Sequence, residues 1–218
     1  MPNSATTAAA PPHGTTDTFR LVKPALEFLP EYEAALKHDW SPDNVRGAVA
    51  AREELEKIAT DPAAFVARLD DPEAKGGPIK LLDGSTVPRL PGFRRWMWDG
   101  AFCGSIGFRW QPGTPALPSH VQGHIGYAVV PWKRGLGYAK RALALMLIEA
   151  RRTGLPFVQV TTDLDNAASQ AVMRANGGRL MEQFRKAALF GGKEALLFHI
   201  DLGNQAVPIT APALQEDD

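Results

Sequence analysis

The sequence has one cysteine, Cys103, which excludes an internal disulfide and any metal site built from several thiolates. Its setting, AFCGSIGF, reads as a strand in which a small buried apolar side chain is the ordinary occupant. An excess of either charge is also missing: Lys+Arg and Asp+Glu both number 24, for a formal net charge of zero. Proteins drawn to nucleic acid or to anionic membrane usually carry a basic surplus, so neither partner is expected and any anion site has to be local. No apolar run reaches the ~18 residues of a membrane span. The opening residues, MPNSATTAAAPPHGTTDTF, lack a basic stretch followed by a continuous apolar core, so no signal peptide is expected and a cytoplasmic location follows by default. No internal repeat is apparent, and no metal is implied.

What is present is ordinary globular material, 44% hydrophobic and 22% charged, in 218 residues: enough for one α/β domain and short for two. Residues 1–17 are mostly Ala, Thr and Pro and read as a disordered tail, and residues 204–218 as a second loose tail, leaving 18–203 as the domain. FRLVKPAL suggests a first strand. PEYEAALKHDW and DNVRGAVAAREELEKIA suggest helices, the second with Glu53 and Lys57 at helical spacing, and DPAAFVARLDD continues the helical region after a break at Pro62. Residues 70–92, rich in Gly and Pro, read as an irregular excursion that either walls a substrate site or is a plain surface connection. FRRWMWDG and AFCGSIGFRW form a candidate hairpin about Asp99-Gly100. GHIGYAVVP is the next strand. The stretch LGYAKRALALMLIEARRTG places Leu136, Ala139, Leu143, Met146, Leu147 and Ala150 on one helical face and closes at Gly154. The strand FVQVTTDL, the short helix NAASQAVMRAN and a last strand pair, KAALFGG with KEALLFHIDL, complete a mixed, mostly antiparallel sheet flanked by helices.

Between the GHIGYAVVP strand and the long helix lies a turn with two glycines and the cations Lys133, Arg134, Lys140 and Arg141. The first N–H groups of a helix have no partner inside it, and the helix dipole adds partial positive charge there. Gly135 and Gly137 remove side chains that would keep a phosphate away. The turn is therefore built as a seat for a diphosphate. It is not a P-loop, since G-x-x-x-x-G-K-[ST] is absent, and it fits a dinucleotide fingerprint poorly, since the third glycine position is Lys140 and residues 131–134 separate it from the strand.

Arg134-Gly135-Leu136-Gly137-Tyr138-Ala139 fits R-x-x-G-x-A, with an apolar strand ending in VVP before it, an amphipathic helix after it, and the segment DNAASQAVMRANGG beyond the next strand. In these features the chain resembles the GNAT superfamily of acetyl-CoA-dependent N-acetyltransferases, over roughly residues 19–201 and most strongly over 121–184. The likeness runs nearest to bacterial "predicted acetyltransferase" members with a GGHIGY-like strand and an ANGG ending. The resemblance implies a single GNAT-like α/β domain that moves an acetyl group from acetyl-CoA, a co-substrate, to an unidentified amine, without a metal; a homodimer stays open. It implies that the backbone at Tyr127, Ala128 and Val129 pairs with the pantetheine arm and that Arg134, Gly135, Leu136, Gly137, Tyr138 and Ala139 take the diphosphate. Asn166 would bond near the pantetheine, with Ser169 one turn on. Asn166 also reads as a cap of the short helix, a role compatible with the first, and Ser169 reads equally as a capping or surface residue.

Acetyl transfer needs a neutral amine, a donor for the oxyanion and an acceptor for the ammonium proton. The position where the family usually carries a tyrosine acid is Met173, and Gly178 stands where an aromatic is usual. The candidate base is His124, of a type suited to proton transfer near neutral pH. Strand alternation puts it with Gly126 and Ala128, opposite Ile125, Tyr127 and Val129, so a structural histidine is the competing reading; His120 is a weaker candidate. The tryptophans at 40, 96, 98, 110 and 132 read as core or sheet-face residues, with Trp96 and Trp98 on one strand face and one of them available to line an acceptor pocket. The missing acid favours a rival reading, a non-catalytic acyl-CoA-binding or sensor protein.

Overall fold

A computed structural model describes residues 18–81 and 84–203. Both tails expected from the sequence lie outside the described residues. The elements run β1 (Arg20–Val22), α1 (Leu29–Lys37), α2 (Ala48–Thr60), α3 (Pro62–Ala67), β2 (Asp70–Asp71), β3 (Ile79–Lys80), β4 (Thr86–Val87), β5 (Gly92–Trp98), β6 (Phe102–Arg109), β7 (Ile125–Val129), α4 (Tyr138–Arg151), β8 (Phe157–Asp163), α5 (Ala167–Ala175), β9 (Arg179–Arg185) and β10 (Glu194–Asp201). The break expected at Pro62 is real: Asp61 leaves the helical region and its carboxylate caps α3 by accepting from the Ala64 N–H at 2.9 Å.

Two antiparallel sheets form the frame, β1-β5-β6-β7 with β2 added on β5, and β8-β10-β9; β3 and β4 make a separate ribbon within the 70–92 excursion. Alternation along β5 divides its side chains between two helical layers. Trp96 and Trp98 face α1–α3, where the Trp96 ring stacks on Tyr32 with centroids 4.6 Å apart. Met97 faces the other way, into the core beneath α4 with Ile106, Phe108, Leu143 and Met146. Of the stripe expected on α4, Leu143, Met146, Leu147 and Ala150 are in that core, whereas Ala139 is half-buried and Leu136 stands before the helix and is exposed. Trp40, Trp96 and Trp98 are buried against α1–α3, so the core reading holds for these three.

One element differs from the expectation. The strand paired with β10 is RLMEQFR, and KAALFGG is mostly the turn between them, with Gly191 and Gly192 at positive φ. β9 is an edge strand, exposed along most of its length, so it carries no period-two apolar signal. Among the described residues no helix is long and apolar enough to cross a membrane.

Candidate functional site

The two sheets touch at one point and then part. His124, just before β7, donates its N–H to the Gln159 carbonyl of β8 at 2.8 Å. A Cβ on Gly123 would stand 3.0 Å from that same carbonyl oxygen, so only glycine lets the chains close here. Beyond this apex β7 pairs with β6 alone, and its other edge faces a cleft. The bonds Arg109 N–H to His124 O and Val130 N–H to Cys103 O bracket the β6–β7 ladder. Alternation from them turns the backbone of Gly126 and Ala128 toward β6, and that of Tyr127 and Val129 toward the cleft. Two side chains already reach the cleft carbonyls: Asn44 Nδ2 donates to Tyr127 O at 3.2 Å and Arg134 Nε to Val129 O at 3.4 Å.

The cleft leads to the glycine turn. Gly135 and Gly137 have φ of 80° and 78°, and a Cβ on either would meet nothing within 4 Å, so both are needed for backbone conformation and leave open space. The first backbone bond after the turn is Arg141 N–H to Gly137 O, and the N–H groups of residues 135–140 have no partner among the described residues. This is a concave row of donors at the start of a 14-residue helix. The four cations do not act alike. Lys133 Nζ donates to Asp99 Oδ1 at 2.6 Å, and the Arg141 guanidinium lies 4.5 Å from the Phe19 ring centroid. Arg134 and Lys140 carry the field that faces solvent at the turn.

Asp99 closes the other side of this arrangement. It sits in the β5–β6 turn and takes Lys133 on one carboxylate oxygen and the Tyr138 hydroxyl on the other, the latter at 2.5 Å. Burial pushes its carboxyl up, yet the bonds from Lys133 and Tyr138 outweigh that and hold it at about 2. The same bond to Asp99, with burial, pushes the Tyr138 phenol up to about 12. Cys103 lies beside the pair, buried, with its thiol pushed up to about 12 chiefly by desolvation, which fits the structural role expected for it.

On the opposite wall, Asn166 Oδ1 accepts from the Ser169 N–H at 3.0 Å and caps α5, and its amide nitrogen has no partner among the described residues. Ser169 Oγ lies 2.7 Å from the Tyr127 hydroxyl, so this pair spans the cleft between β7 and α5. Burial raises the Tyr127 phenol pKa, with the Ser169 bond opposing, so it stays protonated. Met173 is fully buried one turn further on.

His124 is not at the cleft surface. It is fully buried, its Nδ1 accepts from the Gln159 N–H at 2.9 Å, and its Nε2 has no partner among the described residues. With Nδ1 accepting, the neutral ring carries its proton on Nε2 and has no lone pair left for a substrate. Burial, then the charges of Arg109 and His199, lower its pKa to about 4. The geometry is that of a strut joining β7 to β8, the competing reading from strand alternation. Among the described residues no group of three or more His, Cys, Asp or Glu side chains is placed to hold a metal. Asn44 and Asp99 contribute to the site without a local sequence signal for it: Asp99 reads as half of a turn dipeptide, and Asn44 as the start of a helix that in the structure begins only at Ala48.

A family model for the acetyltransferase (GNAT) domain matches residues 48–179. No curated protein sequence matches the chain. Among solved structures, it is similar to the Salmonella typhimurium acetyltransferase that modifies the N-terminal serine of ribosomal protein L7/L12, at 15% identity and a TM-score of 0.57 over 85% of this chain and 96% of that one. It is similar to the ribosomal L7/L12 α-N-protein acetyltransferase RimL in complex with coenzyme A, at 17% identity and a TM-score of 0.57 over 86% and 97% of the two chains. The microcin C7 self-immunity acetyltransferase MccE, in complex with acetyl-CoA and AMP, matches at 13% identity and a TM-score of 0.51 over 85% and 93%. At these identities the likeness is one of fold.

Proposed function

The chain belongs to the GNAT acetyltransferases, and from that premise we propose that it moves an acetyl group from acetyl-CoA to a primary amine by direct attack. The observation that carries this reading is the continuity of the cleft: the open edge of β7 runs straight into the row of free N–H groups at residues 135–140. The pantetheine arm lies along that edge, bonding to the backbone of Tyr127 and Val129, while Ala128, whose backbone is used by β6, contributes surface only. The diphosphate sits on Arg134, Gly135, Leu136, Gly137, Tyr138 and Ala139, held by backbone donors and the helix dipole. Asn166 offers its amide N–H₂ from the far wall, and Ser169 orients the Tyr127 hydroxyl.

The amine enters from the α1–α2 side, attacks the thioester carbonyl, and the carbon–sulfur bond breaks as the amide forms. His124 is too enclosed to take the ammonium proton, which leaves through water. The proton for the departing thiolate comes from the Tyr127 hydroxyl, the phenol this chain places at the cleft in the absence of one at Met173. In this reading residues 18–203 act as one domain, and the location is cytoplasmic.

Acetyl-CoA at 100 times its dissociation constant should stabilise the fold by about 2.7 kcal/mol. Thermal unfolding with millimolar acetyl-CoA, ATP or NAD, run beside thiol release over an amine panel, tests the reading. A rise confined to acetyl-CoA with amine-dependent thiol release is expected. Equal shifts with all three nucleotides, or none, would falsify it, and a shift with no turnover on any amine would favour the acyl-CoA sensor.

A further inference from the structure

The face of the first sheet that looks toward α1 and α2 carries a recess with a cationic rim. Its floor is two glycines, Gly107 of β6 and Gly126 of β7, directly opposite each other. A Cβ on Gly107 would meet only the Phe93 carbonyl oxygen, at 3.8 Å, so the space above it is open. A Cβ on Gly126 would meet Arg109 Nη2 at 3.4 Å, which places the Arg109 guanidinium across this floor. Arg94, opposite Gly107 on β5, borders the other side.

The two arginines are in different states. Arg94 Nη1 donates to Glu54 Oε1 at 3.2 Å and to the Tyr32 hydroxyl at 3.3 Å, and Tyr32 itself donates to Glu54. Glu54 is thereby fully engaged. Asp43, the other nearby carboxylate, accepts from the N–H groups of Val45 and Arg46 at 2.8 and 2.9 Å. Arg109 has no side-chain hydrogen bond or ion pair among the described residues, and its side chain is exposed. Beyond its loss of surrounding water, the charges acting on it are Arg94, which repels, and Asp43, which attracts. Ala128, next on the same face, joins this recess to the β7 edge where the thioester is placed.

A guanidinium is always charged and presents a planar fork of donors that matches a carboxylate in two parallel bonds. Held over a side-chain-free floor, without a protein anion of its own and beside a second arginine that is ion-paired to Glu54, it is a receptor for an anionic group arriving from solvent. We propose that the acceptor is a small amine that bears a carboxylate, bound by Arg109 over Gly107 and Gly126 while its amino group reaches the β7 edge. This rests on the acetyl-transfer reading above and names its substrate class.

The test uses matched pairs: each α-amino acid and its carboxamide, offered with acetyl-CoA to the full chain and followed by thiol release, with acetyl-CoA binding measured separately by thermal shift. The acids should be acetylated in preference to their amides. Arg109→Gln should raise KM for the acids roughly 10- to 100-fold, the range for loss of a charge-assisted hydrogen bond, with acetyl-CoA binding and KM for the amides unchanged. Arg109→Lys should recover part of the loss. Amides used as well as or better than acids, a peptide amine preferred to both, no turnover of any acid by protein that binds acetyl-CoA, or an Arg109→Gln variant with wild-type KM overturns the anionic acceptor and leaves acetyl-CoA binding standing. Failure to bind acetyl-CoA overturns the underlying reading instead.

Discussion

The Lys133 ammonium donates to Asp99 Oδ1 at 2.6 Å, so the first cation of the glycine turn is tied to the β5–β6 hairpin and is not offered to a phosphate. Tyr138, the first residue of α4, is tied to the same carboxylate. One side chain thus holds a residue just before the row of free N–H groups and another inside it. Position, more than charge count, is what this turn supplies to an anion.

Asp99→Asn keeps the shape and removes the charge. Acetyl-CoA affinity should fall several-fold, and the melting temperature should drop with it. The carboxyl is held at about 2, below its unfolded value near 3.9, so its contribution to stability is present above pH ~4 and lost as pH falls from ~4 to ~2. In the variant, that segment of the stability–pH curve should flatten. Thermal melts between pH 2 and 6, with and without acetyl-CoA, check both effects; an unchanged affinity would show the tie to be dispensable for the turn.

Gly137 is left-handed with open space at its Cβ position. Gly137→Glu should cost about 1–2 kcal/mol from the backbone and put a negative charge where the diphosphate is placed. Binding of acetyl-CoA should weaken at least tenfold, far more than the loss of stability explains. Gly137→Asn, which tolerates the left-handed region better, should separate the two terms. Calorimetric affinities for both variants decide the point, and wild-type affinity in Gly137→Glu would mean the turn is a helix start only.

His124 should govern stability and not turnover. Its folded pKa of about 4 lies below the unfolded ~6.5, so the neutral ring stabilises the fold above pH ~6.5, and this is lost as pH falls toward 4 at about 1.4 kcal/mol per unit. His124→Asn keeps an acceptor near the place of Nδ1 for the Gln159 N–H. It should lower the melting temperature at pH 7 but flatten its fall between pH 6.5 and 4, with turnover per folded molecule within about threefold of wild type. A loss of 10²- to 10⁴-fold in a folded variant, the usual weight of a general base, would restore His124 to the chemistry.

Tyr127→Phe removes the hydroxyl that meets Ser169 Oγ and leaves the ring against the core. If this phenol protonates the leaving thiolate, kcat should fall at least tenfold while acetyl-CoA affinity stays within about twofold. Ser169→Ala should produce a smaller loss, since it only orients the group. Wild-type kcat in Tyr127→Phe would assign the proton to water.

What was legible in the sequence is what local chemistry dictates. The order VVP, then a turn with glycines at 135 and 137, then an apolar face from Leu143 to Ala150 specifies a strand, a tight turn and an amphipathic helix, because each depends on residues within a few positions of one another. Met173 at the usual tyrosine position was equally plain by counting. β9 was missed because an edge strand exposed on both faces has no alternation to detect, whereas KAALFGG has apolar residues but closes into a turn. The burial of His124 and its bond to Gln159, the carboxylate of Asp99 against Lys133 and Tyr138, and the placing of Arg109 over Gly126 all join residues from different elements. Tertiary structure decided these, because only strand register and the packing of helices on the sheet set which side chains meet, and with them which protons, charges and donors are left to face a substrate.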